Sequence, residues 1–133
     1  MRKLIVALLL VFAHLPALAD AQIEDLLVRR KDNNVNIRVT VRNPGTSTQQ
    51  GPVVIDLFAR ANENEGWQKI KTWNNISKLQ RGFRVSRDFF DENNVYLAQL
   101  ATAGSFEVRA VVTAPGLAHS AEKISVYTPE AGR

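Results

Sequence analysis

Residues 35–42 alternate without a fault. Val35, Ile37, Val39 and Val41 fall on one side of an extended chain, and Asn36, Arg38, Thr40 and Arg42 fall on the other. Successive side chains of a strand point to opposite faces, so this stretch reads as a strand with one face on a core and one in water. A helical winding would split the same four aliphatics between opposite sides. Such a strand needs neighbours to take up its backbone hydrogen bonds and a second layer to cover its apolar face.

The rest of the chain supplies segments of the same kind. Ile23 to Lys31 comes first, built around Leu26 and Val28, and Asp32-Asn33-Asn34 forms the turn after it. Asn43-Pro44-Gly45 stops the second strand, because proline has no N–H to donate and glycine accepts positive φ. Thr46 to Gly51 is small and polar and reads as an exposed loop. Val53 to Arg60 is the third strand, with Val53, Ile55 and Leu57 on one face. The polar connection Asn62 to Gly66 leads into Trp67 to Trp73, which returns as a strand. Ile76 and Leu79 are expected to plug the core while the chain crosses over. Arg81-Gly82 turns into Phe83 to Phe90, where Phe83, Val85 and Phe89 share a face and Arg87 breaks the pattern.

After Asp91-Glu92-Asn93-Asn94, the residues Leu97, Leu100 and Ala101 stand at helical spacing, so Val95 to Ala103 reads as a short helix or a turn. Phe106 to Thr113 places Phe106, Val108, Ala110 and Val112 inward. Pro115-Gly116 turns the chain, and Glu122 to Tyr127 closes the set with Ile124 and Val126 expected inward. About seven strands, regularly spaced turns and no long helix predict an all-β fold. Its simplest form is an immunoglobulin-like antiparallel β-sandwich.

The N-terminus has a different character. Arg2 and Lys3 precede an uncharged apolar run, Leu4 to Ala13, and Ala17-Leu18-Ala19 offers a small-x-small cleavage site. Residues 1–19 therefore read as a cleaved signal peptide and residues 20–133 as a single sandwich domain. Ala19-Asp20-Ala21 fits the same rule, which leaves a cut after Ala21 open. The apolar run is shorter than the ~20 residues that a spanning helix needs.

Arg2 and Lys3 are two of the 17 basic residues, so the chain from Asp20 onward carries 15 against 13 acidic ones. That balance demands no polyanionic partner and makes nucleic acid an unfavourable one. There is no cysteine. Disulfides, cysteine-type zinc sites and a lipoprotein anchor are thereby excluded. The expected location is periplasmic or secreted.

Three passages carry a family likeness. They are Val35 to Gly45, a strand closed by an Asn-x-Gly corner, then Leu79-Gln80-Arg81-Gly82 leading into an alternating strand, and Ala103 to Val112. In this order they resemble the CARDB group, cell-adhesion-related domains found in bacteria, and allied immunoglobulin or fibronectin-type modules. The resemblance implies an exported bacterial β-sandwich used in surface or periplasmic binding. The chain departs from the pattern in two places: Pro115 to Ser120 has no acidic stretch, and Phe106 stands where many sandwiches carry a tyrosine.

Few residues invite chemistry. His119 is the single histidine after the signal segment, and adjacent residues of a strand-like loop tend to point apart, so Ser120 beside it is not expected to form a nucleophile–base pair with it. Two acidic clusters, Asn62 to Glu65 and Asp91 to Asn94, lack the spacing of a calcium loop and read as solvated turns. Asn75-Ile76-Ser77 matches a glycosylation sequon.

No catalytic site, cofactor or metal is therefore expected, and the chain is not expected to be an enzyme. The remaining candidates form a partner surface. Arg38 and Arg42 share one strand face, Lys69 and Lys71 alternate on another strand, and Arg84 lies near Arg81 and Arg87. These cations either engage an acidic partner or simply keep the sheet soluble. Phe58, Trp67 and Trp73 are either exposed contact residues or core residues under a loop. The expected function is an exported, non-catalytic binding or accessory module for a protein or glycan partner in the envelope. The alternatives are a structural subunit assembling by β-strand pairing and, less favoured, a small hydrolase or metal carrier.

Overall fold

The computed structural model describes residues 21–117 and 119–129. The signal segment lies outside the described residues. Seven strands and one helix follow in order: β1 (Gln22–Lys31), β2 (Asn34–Arg42), β3 (Gln49–Arg60), β4 (Gln68–Leu79), β5 (Arg84–Phe90), α1 (Val95–Ala103), β6 (Phe106–Thr113) and β7 (Ala121–Tyr127). They form two sheets, one ordered β1-β2-β5 and the other β4-β3-β6-β7. Every strand pair is antiparallel.

The expected all-β sandwich is thus the fold. An immunoglobulin constant domain would place the fourth strand beside the fifth. Here β4 stays with β3, which gives a three-plus-four division.

The apolar phase of β2 does what its pattern demands, while in the polar phase Asn36 and Thr40 are buried rather than in water, bonded to Asp88 and Ser86 of β5. Val35, Ile37, Val39 and Val41 are fully buried and share one core with Ile55 and Leu57 of β3 and Val108, Ala110 and Val112 of β6. On one side β7 closes the sandwich against β1, where the Ser125 hydroxyl donates to the Leu26 carbonyl oxygen at 2.6 Å. On the other side β4 and β5 stand at an open edge. The Trp73 and Phe89 rings meet edge-on there, 6.4 Å between centroids. The segment read as helix or turn is α1. Asn94 caps it by accepting from the Leu97 N–H at 2.9 Å, and Leu97, Leu100 and Ala101 face the core.

Four sequence expectations need correction. Ile124 and Val126 point outward and are 49% and 61% exposed, because β7 pairs with β6 in the opposite phase. Ser125 stands opposite Val108, and Tyr127 opposite Phe106, whose ring it meets at 5.0 Å. Phe83 lies before β5 and is 60% exposed, so it does not share the buried face of Phe89.

The loop expected over Thr46 to Gly51 is cut short. Gln49 already belongs to β3 and is buried, its amide donating to Pro115 O at 2.7 Å and Gln50 O at 3.0 Å. Those two bonds offset the burial of a polar group. Finally, Ile76 and Leu79 do plug the core, but from within one continuous twelve-residue strand rather than a crossing. Gly51 permits this length, since a Cβ there would stand 2.1 Å from the Ser77 carbonyl oxygen.

Candidate functional site

Residues directly opposite in neighbouring strands share a face of the sheet. On the outer face of the four-stranded sheet, this rule lines up Lys69, Phe58, Arg109 and Ile124 across β4, β3, β6 and β7. The next row holds Arg60, Glu107 and Val126, and the row on the other side holds Thr72, Asp56, Val111 and Glu122.

The charges of this face are paired with one another. Arg60 Nε lies 2.8 Å from Glu107 Oε1, Lys69 Nζ 3.5 Å from Asp56 Oδ1, and Arg109 Nε 2.8 Å from Glu122 Oε2. The aromatic rings lie under the same cations. Arg60 stacks over Trp67 at 4.0 Å, while Lys69 and Arg109 flank the Phe58 ring at 5.8 and 5.6 Å. With its charges neutralised in pairs and Phe58, Ile124 and Val126 between them, the face is an apolar field framed by ion pairs.

The eight residues singled out in the sequence therefore divide among three places. Phe58, Trp67 and Lys69 come together on this outer face. Arg38, Arg42 and Arg84 lie on the outer face of the three-stranded sheet, away from the first group. Lys71 and Trp73 stand opposite Leu57 and Ile55, in the core-facing phase of β4. Trp73 packs against the core there, which decides between its two readings, and the Lys71 ammonium lies 5.8 Å from the Trp73 ring.

The three arginines singled out on the three-stranded sheet each lie beside an acid. Arg38 holds Asp88 through Nε at 2.9 Å and Nη2 at 3.4 Å, and the Asn36 amide donates to the same carboxylate at 3.2 Å. The hydrogen bond from Arg38 is the largest effect on the Asp88 carboxyl; burial opposes it, and the Asn36 hydrogen bond with the charges of Arg38 and Lys31 helps hold the carboxyl below the usual carboxylate range. Arg84 and Arg42 share Glu24, at 3.2 and 3.9 Å. Arg38, Arg42 and Arg84 are therefore poor collectors of further anions.

Sequence reasoning missed Arg109, Ile124 and Val126. A signal for them was present in β7. Ala121, Lys123, Ser125 and Tyr127 form an equally regular alternating set, and Tyr127 is its largest member.

The acidic clusters are structural. Asn62 forms its own turn, accepting from Asn64 N–H at 2.9 Å, and Asp91 to Asn94 lead into the cap of α1. Among the described residues no three His, Asp or Glu side chains gather into a metal-binding group. His119 sits exposed in the β6–β7 connection, and Asn75 is exposed on β4. No described helix is long and apolar enough to cross a membrane.

No family model matches the chain, and no curated protein matches it. Solved structures do. The archaellum periplasmic stator protein FlaG from Sulfolobus acidocaldarius is similar over 81% of this chain and 100% of its own, with a TM-score of 0.50 and 14% identity. Spo0M, a sporulation control protein from Bacillus subtilis, is similar over 84% of this chain and 49% of its own, with a TM-score of 0.50 and 16% identity. At such identities the likeness concerns the fold.

Proposed function

We propose that this chain is an exported, non-catalytic binding module that docks a protein partner on the outer face of its four-stranded sheet. One observation carries the reading. Ile124 and Val126 are both about half exposed or more, beside Phe58, on a face whose charges are internally paired. Apolar side chains at the centre of a patch with polar groups around them are the usual composition of a protein interface. The outer face of the three-stranded sheet exposes one large apolar side chain, Leu27, among Arg29, Arg38, Arg42, Arg84, Ser86 and Asp88.

The signal-like N-terminus and the CARDB-like passages support a periplasmic or secreted setting and a role in envelope binding or adhesion. A periplasmic stator protein of the same architecture is compatible with an accessory subunit in such a place. Intact mass of the exported protein is expected to show loss of residues 1–19, or of 1–21 for the second site.

The docking test compares two double variants. Ile124→Glu with Val126→Glu is expected to abolish capture of an envelope partner. Arg38→Glu with Arg42→Glu is expected to retain it. The reverse outcome moves the binding face to the three-stranded sheet, and retention by both variants removes the proposal.

A further inference from the structure

We propose that the groove between the β1–β2 turn and the end of β7 binds an acidic peptide segment. The groove encloses about 620 Å³ and is lined by Arg29, Arg30, Asp32, Asn33, Tyr127 and Thr128. That volume lies within the ~300–1,000 Å³ typical of binding clefts. It forms where β1 and β7, held together at Leu26 and Ser125, run out at the same end of the sandwich. Tyr127 packs on Phe106 from one side and lines the groove from the other.

Among the described residues, the arginines of the groove are not taken up by ion pairs. Six ion pairs occupy Arg38, Arg42, Arg60, Lys69, Arg84 and Arg109. Arg29 and Arg30 are consecutive exposed cations with no ion pair among the described residues, while the neighbouring Lys31 acts electrostatically on Asp88. Asp32 is the one acid lining the groove. An arginine already bound to a carboxylate must give it up before taking another, whereas Arg29 and Arg30 need not.

The chemistry favours carboxylates on a chain. Each guanidinium fork accepts a carboxylate through two parallel hydrogen bonds. Asn33 and Thr128 offer donors and acceptors for the main chain between two acidic side chains. A membrane surface is flat and is held by larger clusters of cations. This site is concave and holds two arginines. The groove is separate from the outer sheet face and does not depend on that reading.

The test titrates the protein with a hexaglutamate peptide at low ionic strength, and separately with inorganic phosphate and with anionic phospholipid vesicles. Peptide binding is expected to weaken at least about tenfold in Arg29→Ala with Arg30→Ala. It is expected to stay within about twofold in Lys78→Ala with Arg81→Ala, which removes the same charge from exposed positions elsewhere. In the unaltered protein, the amide resonances of Asn33 and Thr128 are expected to shift with the peptide, a readout that needs no variant to fold. Equal losses in both double variants would leave only a net-charge effect and overturn the proposal. So would shifts confined to other surfaces, or phosphate or vesicles binding as tightly as the peptide through the same arginines.

Discussion

The side-chain amide of Asn43 donates to the carbonyl oxygen of Leu79 at 3.0 Å, joining the end of β2 to the end of β4 in the opposite sheet. The same amide donates to Ser47 O at 2.8 Å, and its oxygen accepts from Gly45 N–H at 2.9 Å. The Asn43 backbone bonds Phe83 O at 3.0 Å and accepts from Gly82 N–H at 2.6 Å. One fully buried residue thus ties a sheet crossing, a strand end and the turn into β5. Gly82 takes its place in that turn at φ 77°, a conformation that disfavours a side chain.

Asn43→Ala is expected to cost about 2–4 kcal/mol, because it removes the donor to the buried Leu79 carbonyl oxygen and leaves a cavity at a fully buried site. Asn43→Asp is expected to be at least as harmful, since it aims a carboxylate at the carbonyl oxygens of Leu79 and Ser47. Urea denaturation checks both. A loss below about 0.5 kcal/mol would show that the corner holds without its amide.

The Arg38–Asp88 contact makes a pH prediction. The Asp88 carboxyl titrates below its ordinary range, held down by the bonds from Arg38 and Asn36. A carboxyl depressed in the folded state stabilises the fold above its unfolded pKa, about 4, and loses that contribution as pH falls through the lower folded value. Both side chains are partly exposed, so the effect is small and weakens with salt. Asp88→Asn is expected to flatten the dependence of the urea midpoint on pH below about 4 and to leave the midpoint near pH 7 only slightly lowered. An unchanged acid limb would assign that dependence to other carboxylates.

The phase of β7 gives a sharper contrast. Ile37 and Ile124 are the same residue type on alternating strands, yet one is fully buried and the other half exposed. Ile37→Ala is expected to cost about 2–5 kcal/mol through lost burial and a cavity. Ile124→Lys is expected to change stability by no more than about 0.5 kcal/mol. Thermal denaturation of the two variants decides the register: a large loss at Ile124 would return it to the core.

These residues also show what a linear chain reveals. In β2 one phase is wholly aliphatic and the other wholly polar, so the core-facing phase could be read directly, though not the burial of Asn36 and Thr40 under β5 partners. In α1 the spacing of Leu97, Leu100 and Ala101 sufficed for the same reason. β7 offers apolar residues in both phases, and its phase depends on the Phe106 ring and the Leu26 carbonyl, the latter 99 positions away. Gln49 reads as a loop residue until the Pro115 carbonyl oxygen, 66 positions on, accepts a hydrogen bond from its amide. The candidate site shows the same division. Arg38 is visibly a surface cation, but its neutralisation by Asp88, 50 positions later, is a fact of register.

Register also places a cation on the core-facing phase of every edge strand. Arg30 of β1 stands opposite Val35, Lys71 of β4 opposite Leu57, Arg87 of β5 opposite Val39, and Lys123 of β7 opposite Ala110. Arg87 escapes the core by reaching across the open edge to Asn75 Oδ1 at 3.3 Å. A charge on the inward side of an edge blocks a second sheet from docking there, because the added strand would bury it. This arrangement disfavours assembly by strand pairing. Lys71→Val with Arg87→Val, which clears both strands of the open edge, is expected to produce concentration-dependent association in sedimentation velocity, while the unaltered chain stays monomeric at the same concentration. Arg38→Val with Arg81→Val removes equal charge outside the edge strands and is expected to stay monomeric too. Association of both double variants alike would assign the effect to net charge, and a self-associating unaltered chain would show that inward cations do not guard these edges.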